Sequence, residues 1–156
     1  MSDPRSWPHL ELRELMSIQV RVRPVVDLGA GRRFVAFDGG TFEGVRDEVA
    51  GTILEGGVDW QLVRDDGVLD IDAHYTLSTD RGEAIEVRSQ GLRRAAPAVA
   101  ERIARGEPVD PEEYYFRTHL RFSTAAERLS RLNGLLAVST GRRDRSVVRL
   151  GVYEVL

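Results

Sequence analysis

Apolar and polar residues alternate along most of this chain, and Asp-Gly or Gly-Gly pairs break the alternation at intervals. From Leu15 to Pro24 the order LMSIQVRVRP sets Ile18, Val20 and Val22 against Gln19, Arg21 and Arg23. Successive side chains of a strand point to opposite faces, so the pattern predicts a first strand with one wet face. DLGAG, from Asp27 to Gly31, interrupts the chain before RRFVAF, and Gly39 and Gly40 bend it into TFEG. Two further runs, GTILEGGVDWQLVRDDG and VLDIDAHYTLSTDRG, meet at Asp65, Asp66 and Gly67. Asp-Gly between alternating runs is the strongest short-range hairpin signal. Asp80, Arg81 and Gly82 repeat the punctuation before EAIEVRSQG, which predicts a β-meander of consecutive antiparallel strands.

One helix is expected from Ala95 to Gly106, where Val99, Ile103 and the alanines make a weak apolar stripe ended by glycine. YYFRTHLRFST then alternates again, and RLNGLLAVSTG and SVVRLGVYEVL form a last pair across an arginine-rich turn, Gly141 to Arg145. About nine strands exceed what one strongly curled open sheet accommodates. They suit an all-β, antiparallel up-and-down barrel with one short helix, which leaves few free edges. Residues 1–14, with Pro4, Trp7 and Pro8, read as an N-terminal arm, and residues 15–156 as a single barrel domain with one closed core.

Charge and composition narrow the chemistry. The net charge is -3 with acids and bases interspersed, so the basic stripe needed for nucleic acid is missing. No run approaches the roughly 20 apolar residues of a membrane helix, and the start lacks a basic region followed by an apolar one. A cytoplasmic protein without a membrane partner is expected. The chain has no cysteine, which removes thiol chemistry, and all 22 of its basic residues are arginine, which removes a lysine Schiff base. His9, His74 and His119 are the groups that titrate near neutrality without a large shift. They are scattered without metal-ligand spacing, so neither a metal nor a cofactor is expected.

Five segments carry a family resemblance: GGTFEG at Gly39–Gly44, GGVDWQLVRDDGV at Gly56–Val68, DAHYTLSTDRGEAIEVRSQG at Asp72–Gly91, PVDPEEYYFRTHLRF at Pro108–Phe122, and the closing GVYEV. In this order and spacing the chain resembles the domain of unknown function 3237 family, also called uncharacterised protein family 0311, from about Leu10 to Leu156. The resemblance implies a calycin-like β-barrel, a fold that commonly holds one small ligand. It supplies no established reaction. Two positions depart from the family pattern: His74 stands where relatives often carry arginine, and Arg131 precedes Leu132 and Asn133 where they often carry an aromatic residue.

Alternation sorts the candidate functional residues onto faces without saying which face is the lumen. Asp59 and Gln61 oppose Trp60, Leu62 and Arg64, while Asp70, Asp72, His74 and Thr76 oppose Ile71, Ala73, Tyr75 and Leu77. Either the polar faces are simply wet, or part of one lines a pocket. On the second reading His74 is the candidate general base, with Asp72 as a charge partner two residues away. Glu43 or Asp59 is the candidate acid, and Arg88 and Arg117 are candidate oxyanion clamps. Trp60, Gln61, Tyr75, Tyr115, His119 and Asn133 are candidates for contacting the ligand. The expected function is cofactor-independent proton transfer on an oxygenated or aromatic metabolite, of isomerase, cyclase or dehydratase type. The alternative is a carrier barrel that binds such a molecule unchanged. A homodimer through an edge is also expected.

Overall fold

The computed structural model of the protein describes residues 3–46 and 49–156. Ten strands form one antiparallel sheet: β1 (Leu12–Val22), β2 (Val26–Gly29), β3 (Arg32–Gly44), β4 (Ala50–Ile53), β5 (Val58–Val63), β6 (Leu69–Thr79), β7 (Ala84–Arg94), β8 (Tyr115–Ser123), β9 (Ala137–Asp144) and β10 (Val147–Val155). They occupy eight positions round a closed barrel. β1 and β2 run one after the other along one edge of β3, and β4 and β5 along its other edge, where both also pair with β6. From β6 the meander continues through β7, β8, β9 and β10, and β10 pairs with β1.

The long strand β3 makes closure possible. It must face β5 at its start and β1 at its end, and it turns between them at Gly39 and Gly40, both with positive φ. A Cβ at Gly40 would lie 2.0 Å from the carbonyl oxygen of Gln19 on β1, so the two backbones approach as no other residue permits. The hairpin at Asp65–Gly67 forms as the sequence predicts. Gly67 takes φ 84°, and the Asp66 carboxylate accepts a hydrogen bond from the Val68 amide.

The apolar faces of the strands point inward. Ile18, Leu77, Ile85, Val87, Leu120 and Val152 are at most 1% exposed. One end of the barrel is plugged by a 3-10 helix, Glu127–Gly134, which buries Leu129 and Leu132. This corrects the strand expected to begin at Arg131: RLNG caps the barrel, and β9 starts only at Ala137. Asn133 pins the cap, its side chain accepting from the Thr124 amide at 2.7 Å and donating to the Thr124 carbonyl at 3.0 Å. The single α-helix among the described residues, α1 (Pro97–Ala104), follows β7 at the other end and buries Ile103.

The first strand starts at Leu12, three residues before the expected Leu15, because Leu12 and Arg13 already pair with Val155 and Glu154. Leu77→Ala is expected to lower the free energy of unfolding by about 2–5 kcal/mol, measured by urea denaturation. Val63→Ala, at a side chain 41% exposed, should change it by less than about 0.5 kcal/mol.

Candidate functional site

The lumen is not uniformly apolar. Between its walls lies a narrow void of about 40 Å³, open at one end, and the lining includes Asp59, Gln61, Tyr75, Ser89, Arg93 and Arg143. Period two explains the placement of each. On β5, Asp59 and Gln61 stand opposite Ala73 and Ile71, residues of the inward face of β6 that also carries Tyr75. On β7 the inward series Ile85, Val87, Ser89 and Gly91 ends at Arg93, and on β9 the series Ala137, Ser139 and Gly141 ends at Arg143.

Asp59 is held at both oxygens. One accepts from the Asp72 amide at 3.1 Å, and the other from the Gln61 side-chain amide at 2.6 Å. Gln61 is fixed in turn by Arg33, whose Nε donates to its carbonyl oxygen at 2.8 Å. The result is a relay from cation through amide to carboxylate. Burial pushes the Asp59 carboxyl up from 3.8 to about 6, because removal from water outweighs the two hydrogen bonds and the attraction of Arg33.

Burial also lowers Arg93 to about 10, with Arg143 and Arg33 adding repulsion. Arg93 makes no hydrogen bond or ion pair with any described residue. Arg143 is turned by its own backbone: its Nε donates to the Arg145 carbonyl at 2.6 Å, and its amide donates to the Tyr114 hydroxyl at 2.9 Å. The Tyr75 hydroxyl is buried without a partner among the described residues, and its ring meets Phe37 edge-on at 5.2 Å. Burial, then the charge of Asp59, raises the Tyr75 phenol well above its ordinary value, so it stays protonated and can donate. Ser89, Thr118 and Ser139 form a buried hydroxyl chain, with Ser89 Oγ donating to Thr118 Oγ1 at 2.9 Å and Thr118 lying 2.6 Å from Ser139.

The structure thus brings Asp59, Gln61 and Tyr75 together and leaves the other sequence candidates outside this void. His74 is exposed on the outer face, 2.7 Å from Glu86 rather than beside Asp72. Asp72 instead takes Arg88 in a bidentate pair at 2.9 and 3.0 Å. These pairs bridge neighbouring strands in solvent, because the even-numbered residues of β6 and β7 point outward. Glu43 is exposed on β3. Trp60 is 53% exposed and packs on Phe34 at 5.1 Å. Tyr115 lies on the outer face between Arg94 and Arg117, at 4.2 and 5.0 Å from its ring, and His119 is exposed on the same strand. Asn133 belongs to the cap described above.

Arg33, Arg93, Arg143 and the three hydroxyls were missed by the sequence reading, although a signal existed. Arg93 continues the apolar period-two face of EAIEVRSQGLRR, where a lone cation is out of place. Arg143 was assigned to the turn from Gly141 to Arg145, but β9 runs on to Asp144 and the turn itself is only Arg145 and Ser146. Among the described residues no three His, Asp or Glu side chains gather as metal ligands, and no helix is long and apolar enough to cross a membrane.

A closed antiparallel barrel with polar side chains inside an apolar lumen defines a calycin-like β-barrel. The chain belongs to the family described as protein of unknown function DUF3237, which matches residues 10–155. It is 32% identical to a UPF0311 protein of Rhodopseudomonas palustris over 96% of this chain and 99% of that one. The crystal structure of a Rhodopseudomonas palustris protein of unknown function, also 32% identical, superimposes with a TM-score of 0.91 over 97% of this chain and 100% of that one. A β-barrel-like protein of Acinetobacter baumannii is 35% identical, with a TM-score of 0.82 over 97% of this chain and 99% of that one. An enzyme from Penicillium herquei shares the fold, at 18% identity and a TM-score of 0.68, with each chain fully covered.

The raised carboxyl of Asp59 makes a prediction about stability. A folded-state value above the unfolded one means the folded chain holds its proton longer. That contribution is complete below 3.8 and is lost as pH rises through about 6. A rise from 3.8 to about 6 corresponds to about 3 kcal/mol. Relative to Asp59→Asn, the wild type should therefore lose about 3 kcal/mol over that window and level off above it. Urea denaturation of both chains at successive pH values measures this, and a flat difference would show that burial does not raise the proton affinity of Asp59 above that in the unfolded chain.

Proposed function

We propose that the protein is an enzyme that moves protons on a small oxygenated or aromatic metabolite in the barrel lumen, with Asp59 as its acid-base group. The chemistry is of isomerase, cyclase or dehydratase type and needs no cofactor. One observation carries this reading: a buried carboxyl lines the void, both its oxygens are held, and burial pushes it up to about 6. A general base works best when its pKa lies near the working pH.

In the scheme, ionised Asp59 removes a proton from the bound molecule, and the protonated acid returns it at another position. It returns to carbon in an isomerisation or cyclisation, and to a departing hydroxyl, released as water, in a dehydration. Gln61 holds the carboxylate in one orientation. The unpartnered Tyr75 hydroxyl donates to the oxygen on which negative charge develops. That a protein of this fold from Penicillium herquei is an enzyme supports the fold as one able to host chemistry. His74, Arg88 and Arg117 have no part in the scheme, because they stand in solvent on the outer face.

The test is incubation of the purified protein with a small-metabolite extract of its source in deuterium oxide, followed by mass spectrometry of the solution and of the intact complex. A compound that the wild type converts is expected, with deuterium gained at carbon in an isomerisation or cyclisation and loss of water without deuterium gain in a dehydration. Its turnover should fall by about 10²- to 10⁴-fold in Asp59→Asn and stay unchanged in His74→Ala. The kcat/KM of the wild type should rise with pH through about 6, as Asp59 ionises. A compound bound and recovered without exchange would make the protein a carrier, and conversion that survives Asp59→Asn would remove Asp59 from the chemistry.

A further inference from the structure

The two cations at the open end of the lumen form no ion pair with any carboxylate among the described residues, and of the carboxylates only Asp59 acts on them, from a distance. Arg93 pairs with nothing among the described residues, and Arg143 bonds only to a backbone carbonyl through its side chain. Arg33 is different, because Asp59 and Asp27 both act on it. Asp59 offers Arg93 little: it makes no hydrogen bond to it, and its attraction is the weakest of the influences on that guanidinium. Burying unpaired cations that repel one another is costly, and in binding sites an anion supplies the missing charge.

We infer that the lumen takes a monoanionic organic acid, its carboxylate or equivalent oxyanion held at the open end by Arg93 and Arg143 and its apolar body directed inward, past Asp59, to Tyr75. This rests on the reading of the lumen as the reaction site. Arg93 presents an unoccupied planar fork that suits a carboxylate. Arg33, Arg93 and Arg143 outnumber Asp27 and Asp59 by one, which matches a single negative charge on the ligand. The charge on Asp59 sets the direction, since it repels an anionic group from the depth of the barrel and leaves the open end as the place for it.

Beyond the arginines the lining is mostly apolar, with Val20, Val35, Ile71, Phe116 and Leu150 among it, which suits an uncharged hydrocarbon or aromatic body. The register sets the length. Arg93 stands opposite Leu69 and Tyr75 opposite Val87, six residues along β6, or about 20 Å of strand. Strand tilt and two long side chains shorten the gap along the barrel axis. At the inner end, the buried Tyr75 hydroxyl awaits a polar atom on the ligand.

Matched pairs of carboxylic acids and their primary amides, from acetate and acetamide to 4-hydroxycinnamate and its amide, test this by calorimetric titration of the wild-type protein. At least one elongated acid should bind about tenfold or more tightly than its own amide, and addition of a 4-hydroxyl group should tighten it further. Arg93→Gln, checked for folding by circular dichroism, should bring acid and amide level, whereas Asp59→Asn should keep the preference. If no acid in the series outbinds its amide, or if the preference survives Arg93→Gln, the inference fails. Neither result touches the role of Asp59, which turnover measures separately.

Discussion

Everything in this molecule depends on the turn that β3 makes at Gly39 and Gly40. The thirteen residues Arg32–Gly44 must face two different neighbours along each edge. A residue with a side chain at Gly40 would strike the Gln19 carbonyl, so the approach of β1 to β3 rests on that single missing Cβ. Without it the sheet would stay open, with β1 as a bare edge and the inner faces only half covered. Closure produces a water-poor interior, and only there does a carboxyl such as Asp59 depart from ordinary behaviour.

The interior shows how one architecture separates structural from chemical uses of the same residue types. On the outer face Arg88 and Asp72 form a solvent-screened pair that adds little to stability. Inside, Arg33 reaches Asp59 only through Gln61, so cation and anion are kept apart by one amide. A direct ion pair would have stabilised the ionised carboxylate and pulled it back toward its ordinary range. The intervening amide orients Asp59 while leaving its proton affinity raised.

Much of the fold was legible in the sequence, and the reasons are local. Alternation in LMSIQVRVRP and LDIDAHYTL, and Asp-Gly at Asp66 and Gly67, report strands and a hairpin because side-chain direction and backbone sign are decided within a few residues. The cap RLNG was misread as strand because Leu132 fits either period, and only its burial at the barrel end decides. The site was half legible. Asp59 and Gln61 were paired on one face, but whether a face points into the lumen depends on how the whole sheet curls. His74 stood out by its chemistry, yet it occupies the outward phase of β6. Arg93 and Arg143 escaped notice because arginine beside a turn ordinarily means solvent, and these two lie on the inward phase at the last turn of their strands.

The pairing of β1 with β10 has a consequence for how the protein is made. Ile18 leaves the ribosome early and meets Leu150 only when nearly all of the barrel has been synthesised. Until then β1 has β3 on one side and an open edge on the other, with Ile18, Val20 and Val22 uncovered. Contacts this distant in sequence close slowly. The arginines that alternate with those apolar residues, Arg21 and Arg23, give the waiting strand a charged flank. That flank works against association between nascent chains during the interval before the barrel shuts.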